Sequence, residues 1–307
     1  MSKRVLITGI TGFLGSHIAE KILSQGDDRV IGLKRHSSDL WRCRAFSDKI
    51  CWVAADDAHW KQDLIALHPD VIIHTAWSGV GAGERDDWRK QFDNIGLVID
   101  LLDIAQKAGA KKFIGFGSQA EYGHFSGIIA ESSPAKPNSA YGVAKVAAME
   151  TIRCFCDKND IEWIWLRLFS FFGEKEGSGW LIPAIVDALR HNSRMEMTPG
   201  EQRYAYMYAG DAARIVADVA RQSVKAAVYN LSSHTSRSIR EMVENIREII
   251  RPDKSDIRLG AIPYREGQTM HVQGDVKRLE AELGKITESD FKTNLEKTVK
   301  YILATST

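Results

Sequence analysis

The chain has 307 residues, 44% hydrophobic and 26% charged, and its 41 Lys and Arg against 40 Asp and Glu leave a formal net charge of +1. That length suits one or two domains with a sizeable core, and the balanced charge argues against nucleic acid or a membrane surface as a partner. No apolar run approaches the roughly 20 residues that a spanning helix needs, so no membrane partner is expected. Cys43, Cys51, Cys154 and Cys156 lack CxxC or other metal-ligand spacing and the nine histidines are scattered. No metal is expected, and the cysteines read as reduced thiols. The chain enters an apolar run almost at once, leaving no room for a signal peptide, so a cytoplasmic location is expected.

The first elements lie in "VLITGITGFLGSHIAEKIL", Val5 to Leu23. Val5-Leu6-Ile7 is a short, fully apolar run that suits a strand buried on both faces of a parallel sheet. Ile18, Ile22 and Leu23 then recur at helical spacing, with His17, Glu20, Lys21 and Gln25 assigned to the polar side. Between strand and helix stand Gly9, Gly12 and Gly15. An ordinary tight turn carries similar glycines. The strand before and the helix after point instead to a dinucleotide site, where backbone N–H groups at a helix start meet a pyrophosphate.

Strand-like runs follow at residues 29–35, 49–54, 70–76, 111–117 and 162–168, with clear amphipathic stretches at Asn94–Ala108 and Ala140–Asp157. This alternation predicts an α/β fold, a Rossmann-type doubly wound parallel sheet with ligands beyond the C-terminal strand ends. After Leu168 the rhythm breaks. Helices are expected at Trp180–Arg190, Asp211–Gln222, Ile239–Ile250, Val276–Leu283 and Phe291–Leu303, with a strand in AVYNLSS at residues 227–233. Residues 1–168 and 205–235 are therefore assigned to a dinucleotide-binding portion, and 169–204 with 236–307 to a smaller, discontinuous substrate portion.

The strand ends carry the chemistry. Where the second strand should meet the adenosine ribose stand Lys34 and Arg35, with no carboxylate before Asp39. A basic pair suits a 2′-phosphate, which favours NADP(H), with NAD(H) as the alternative. Asp56, after the third strand, is a candidate for the adenine amino group or for capping the next helix. Ser118 ends the KKFIGFGS run, and Tyr141 and Lys145 follow, four apart on one helical face. An ammonium beside the phenol is expected to lower its pKa and make Tyr141 a proton donor or acceptor for a carbonyl–alcohol conversion.

On these residues the chain resembles the extended short-chain dehydrogenase/reductases of the nucleotide-sugar epimerase, dehydratase and reductase group. The matching elements are TGITGFLG (Thr8–Gly15), VIIHTA (Val71–Ala76), Asn94 as a helix opener, GSQAEYG (Gly117–Gly123) and Tyr141-Gly-Val-Ala-Lys145. RLFSFFG, QRYAYMYAGDAA and YREGQ extend the likeness over essentially the whole chain. The resemblance implies a catalytic set of Ser118, Tyr141 and Lys145, with Lys145 also on the nicotinamide ribose. It implies cofactor contacts from Gly9, Thr11, Gly12, Phe13 and Leu14, from Thr75, Ala76 and Trp77, and from Asn94. It implies a nucleotide-sugar substrate held by Gln119, Tyr122, Arg203 and Arg265, with a role in deoxysugar and polysaccharide biosynthesis. A homodimer is implied too, with helices near Asn94 and Ala140 forming a four-helix bundle from Leu97, Leu101, Ile104, Val146, Met149 and Ile152.

Two departures narrow the activity. The 4,6-dehydratases of this group carry an Asp-Glu pair directly after the catalytic Ser or Thr, whereas this chain has Gln119-Ala120. Its 4-epimerases usually hold NAD tightly and carry an acid where Lys34 and Arg35 stand. Together these favour an NADPH-dependent reductase of a nucleotide-linked 4-keto-6-deoxy sugar. A 4-epimerase with tightly bound NAD is the enzymatic alternative, and a dinucleotide-sensing regulator the non-enzymatic one. The segment at Arg203-Tyr204-Ala205 departs from the group's usual Arg-Asp run.

Overall fold

The computed structural model describes residues 2–26 and 28–305. Seven strands form one sheet: β1 (Arg4–Thr8), β2 (Arg29–Lys34), β3 (Ile50–Ala54), β4 (Val71–His74), β5 (Lys112–Ser118), β6 (Glu162–Leu168) and β7 (Ala227–Leu231). The helices are α1 (Phe13–Ser24), α2 (Trp60–Ala66), α3 (Trp88–Ala108), α4 (Ala140–Lys158), α5 (Leu181–His191), α6 (Ala209–Arg221), α7 (Ile239–Ile250), α8 (Lys277–Leu283) and α9 (Phe291–Thr305).

The sheet order is β7-β6-β5-β4-β1-β2-β3, and every pairing is parallel. The apolar runs of the central strands fit this arrangement, since Leu6, Ile7, Ile72, Ile73, Phe113 and Ile114 are all wholly buried. One face packs on α1 and α6 through Ile18, Ile22 and Val216, and the other on α2, α3 and α4 through Leu64, Leu101 and Ile152. Strand order reverses between β1 and β4, so the crevice beyond their C-terminal ends is the switch point at which doubly wound sheets bind ligands.

A separate core joins α5, α7 and α9 through Ile185, Met242 and Leu295. Beside it lies a four-stranded sheet of residues 237–238, 203–204, 271–274 and 127–129. Its last strand, Gly127–Ile129, comes from the stretch that the sequence assigns to the dinucleotide-binding portion. A three-residue strand with an exposed Ile128 carries no periodic signal.

Two local expectations need correction. Asn94 does not open α3: the helix begins at Trp88, where the Asp87 side chain caps it by accepting from the Lys90 N–H at 3.0 Å. His17 does not lie on a polar face. It is buried, its Nε2 2.8 Å from the Glu174 carbonyl oxygen, and burial lowers its pKa.

Candidate active site

The turn between β1 and α1 is built tightly. Gly9 has φ +67°, and a Cβ there would lie 2.6 Å from the Ala76 nitrogen. A Cβ on Gly15 would lie 2.2 Å from the Gly9 carbonyl oxygen. Both positions therefore demand glycine, which lets the first turn of α1 fold back against β1 and the segment after β4. Gly12 is the N-cap of α1; no side chain caps it, and no acid stands in the first turn. The first N–H groups of a helix have no intrahelical partner, so this uncapped end at the switch point fits a dinucleotide pyrophosphate.

The other expected cofactor residues frame the same crevice in different ways. Thr75 is stitched to β1, its hydroxyl donating to the Thr8 carbonyl at 2.7 Å, and the Ala76 N–H reaches the Thr8 hydroxyl at 3.4 Å. Trp77 stands edge-on to Tyr141 with ring centres 6.3 Å apart. Asn94 accepts from the Ser78 N–H at 2.7 Å and donates to the Ser78 carbonyl, so it acts by fixing the segment after Trp77. Phe13 lines the cleft, Leu14 packs against the core, and the Thr11 carbonyl accepts from Arg42 at 3.5 Å. At the end of β2, Lys34 Nζ sits 6.0 Å from the Trp52 ring centre and Arg35 is exposed. Asp56 does not cap α2, whose N-cap is His59. Both Asp56 oxygens instead accept from the His36 N–H at 3.0 Å, while His36 Nε2 meets Asp57 at 2.7 Å.

Ser118, Tyr141 and Lys145 converge at the end of β5. Ser118 caps the short 3₁₀ turn Gln119–Tyr122, accepting from the Ala120 N–H at 3.2 Å, while Glu121 accepts from the Ser118 N–H at 2.8 Å. This reciprocal box fixes the serine backbone. Tyr141 follows Ser139, the N-cap of α4, and its side chain hydrogen-bonds Ser118. Lys145 is buried one turn on, donating to the Phe116 carbonyl at 2.7 Å with its Nζ 3.6 Å from the Trp77 ring centre.

The electrostatics differ from the sequence expectation. Burial raises the Tyr141 phenol, opposed by the Ser118 hydrogen bond and by Arg85, whose guanidinium lies 5.3 Å from the ring centre. Lys145 is not among the groups that lower it: burial pushes the Lys145 pKa down to about 7, so the amine is neutral before the phenol would ionise. At neutral pH Tyr141 is thus held protonated, the form that gives a proton away.

Sequence reasoning missed the group beneath this set. Glu121 is wholly buried, and its carboxylate accepts from Arg167 Nε at 2.7 Å and Trp165 Nε1 at 3.0 Å. A Cβ on Gly117 would come within 2.0 Å of the Glu121 carboxylate, so that glycine makes room for the pair. The S-x-x-E spacing was the available signal, since it is that of a capping box.

Of the expected substrate residues, Gln119 and Arg265 line adjoining parts of one cleft, which also share Ser170, Thr269 and Val272. Tyr122 lies outside the cleft lining. It is buried, its hydroxyl donating to Asn230 Oδ1 at 2.6 Å and its ring under the Arg167 guanidinium. Arg203 is turned to the small sheet, donating to the Ser236 carbonyl at 2.7 Å with Glu241 at 3.5 Å. Neither is brought together with the catalytic set. No described helix is long and apolar enough to cross a membrane.

Comparison with known proteins bears on this geometry. A family model described as "NAD dependent epimerase/dehydratase family" matches residues 5–232. CDP-abequose synthase of Salmonella muenchen is 23% identical over 313 residues, covering 99% of this chain and 98% of its own. A UDP-N-acetylglucosamine 4-epimerase structure from Methanobrevibacter ruminantium superposes with a TM-score of 0.87 at 23% identity, covering 99% of both chains. DesIV of Streptomyces venezuelae, a dTDP-glucose 4,6-dehydratase solved with NAD bound, gives 0.86 at 22% identity, with 98% and 97% covered.

Proposed function

This chain belongs to the NAD dependent epimerase/dehydratase family, and from that premise we propose that it is an NADPH-dependent reductase of a nucleotide-linked 4-keto-6-deoxy sugar. The observation that carries this reading is the floor of the cleft. Beside the Ser118–Tyr141 hydrogen bond stand Gln119, which exchanges no proton at neutral pH, and Ala120, which has no functional group. These are the two positions at which the group's dehydratases carry the acid–base pair for removing water, whereas reduction needs only one proton donor.

A nicotinamide cofactor, when bound, would supply the hydride for the keto carbon. The uncapped start of α1, with Gly9, Gly12 and Phe13, would hold the pyrophosphate, and Lys145 and Trp77 flank the catalytic end. Tyr141 donates the proton to the new alcohol oxygen. Ser118 hydrogen-bonds Tyr141 and is placed to steady the same oxygen. Lys145, with its pKa near neutrality, is available to replenish the proton of Tyr141. The direct test is a screen of nucleotide-linked 4-keto-6-deoxy sugars for NADPH oxidation.

The cofactor preference rests on β2. Lys34 ends it and Arg35 follows, and the nearby acids Asp56 and Asp57 are engaged by His36. Arg35→Ala is expected to weaken NADPH binding by about 1.5–3 kcal/mol, as for a hydrogen bond between charged groups. NADH binding should hardly change in a parallel titration, and equal losses would contradict the assignment.

A 4-epimerase is the second reading, favoured by the likeness to the M. ruminantium enzyme. An epimerase keeps its cofactor through the cycle, so NAD or NADH retained through purification would support it over the reductase.

The chain acts as a homodimer in this reading, though not through most of the residues the sequence offers. Leu101, Ile104, Met149 and Ile152 are buried against the sheet. Trp88, Phe92 and Ile99 are instead exposed, at 57%, 42% and 54%, and their spacing lines one face of α3. Light scattering at micromolar concentration is expected to give a dimer, and Phe92→Glu to shift it toward monomer.

A further inference from the structure

The cleft holds two buried polar atoms that find no partner among the described residues, Gln119 Oε1 and Glu176 Oε2. Both residues line the same cavity of about 370 Å³ as Ser118 and Tyr141. Buried polar groups without partners are costly and rare in native structures, so two in one cleft mark places where a ligand completes the hydrogen bonding. Gln119 was already expected to meet substrate. Glu176 was not. It follows the short strand Ser170–Phe172 on the segment leading to α5, and the same cavity is walled by Phe125, Phe169, Trp180 and Tyr206.

We propose that Glu176 is a specificity-determining residue, a neutral carboxylic acid whose O–H donates to an oxygen of the hexose while Gln119 Oε1 accepts from a neighbouring hydroxyl. This rests on the reading of the cleft as a nucleotide-sugar site. The surroundings support a neutral acid. Burial raises the Glu176 pKa to about 8. The titratable group that senses it is Tyr206, from the adjoining strand Tyr206–Tyr208, itself raised by burial. Arg85 and Tyr141 border the same cleft, and Arg85 is committed to the Val80 carbonyl and the Tyr141 ring. Both orphaned atoms stand among aromatic walls, an arrangement that reads a sugar by its C–H faces and a few hydroxyls at once.

Binding of UDP-glucose, dTDP-glucose and CDP-glucose, each against its bare nucleoside diphosphate, tests this on wild type, Glu176→Gln and Glu176→Leu. In wild type the sugar conjugate of the accepted base should bind more tightly than the diphosphate at about pH 6.5, and that advantage should fall about tenfold by about pH 9 as the donor ionises. Glu176→Gln, whose amide still donates, should keep the advantage at both pH values. Glu176→Leu should lose it at both, and bare diphosphates should bind all three proteins alike. An unchanged advantage in Glu176→Leu, or a loss confined to cofactor binding, overturns the proposal. Failure of all six ligands to bind wild type overturns the nucleotide-sugar reading, and the proposal with it.

A ligand-free measurement separates those two failures. A carboxyl whose folded pKa is raised contributes stability that is lost as pH rises from its ordinary value through about 8. Glu176→Gln should therefore melt above wild type at about pH 9, with the difference shrinking toward about pH 5. A pH-independent difference shows an ordinary carboxylate and overturns the proposal.

Discussion

Tyr141→Phe is expected to lower turnover by about 10²–10⁴-fold, the range for losing a general acid. The change deletes one hydroxyl and keeps the buried ring, so its edge contact with Trp77 and its place under Arg85 survive. Cofactor affinity should be close to wild type. In kinetic form, kcat and kcat/KM fall together while substrate binding is little affected, the pattern of a contact made in the transition state. Lys145→Met should be more severe. It removes a buried amine that donates to Phe116 and stands over Trp77. Unchanged turnover in Tyr141→Phe would remove the tyrosine from the chemistry.

The largest expected effect on stability lies one layer deeper. Glu121 and Arg167 form an ion pair in which both side chains are almost wholly buried. Removing one partner of such a pair leaves an uncompensated charge, at a typical cost of about 3–5 kcal/mol. Glu121→Ala should lose stability on that scale in urea unfolding, because it strands the Arg167 guanidinium and leaves Trp165 Nε1 without its acceptor. The same substitution also releases the Ser118 N–H. In whatever fraction stays folded, turnover should fall although Glu121 touches no substrate. Glu121→Gln, which preserves shape and one acceptor, should fall between wild type and Glu121→Ala. A near-neutral Glu121→Ala would contradict the account of how Ser118 is held.

The parallel sheet was legible because the runs around Leu6, Ile72 and Phe113 are apolar through and through, and strands buried on both faces read that way. The site's order along the chain was legible too, since glycine turn, strand-end serine and Tyr-x-x-x-Lys each carry local spacing. What escaped was set by contacts distant in sequence. The start of α3 was hidden because Trp88 and Phe92 face outward while Gln91 is buried, donating to the carbonyls of Gly79 and Glu84. That inverts the polarity on which helical periodicity depends. His17 was misplaced for a similar reason, because its partner is a backbone carbonyl in the loop at Glu174. Glu121 reads as a surface charge until Arg167 and Trp165 are brought beside it by the β5–β6 pairing. Asp56 looked like a candidate helix cap because nothing local shows that the His36 N–H comes to it.

The measurement closest to the central claim follows both substrates of the rival reactions in one assay. Purified protein is given NADPH with a nucleotide-linked 4-keto-6-deoxy sugar, and separately the unmodified nucleotide hexose, with products identified by mass and by NMR. The reductase account predicts one NADPH consumed per keto sugar, a 6-deoxy product, and no change in the unmodified hexose. Formation of a 4-keto-6-deoxy product from the unmodified hexose, with no second enzyme present, would contradict it, as would interconversion of the hexose at C4 without net consumption of NADPH.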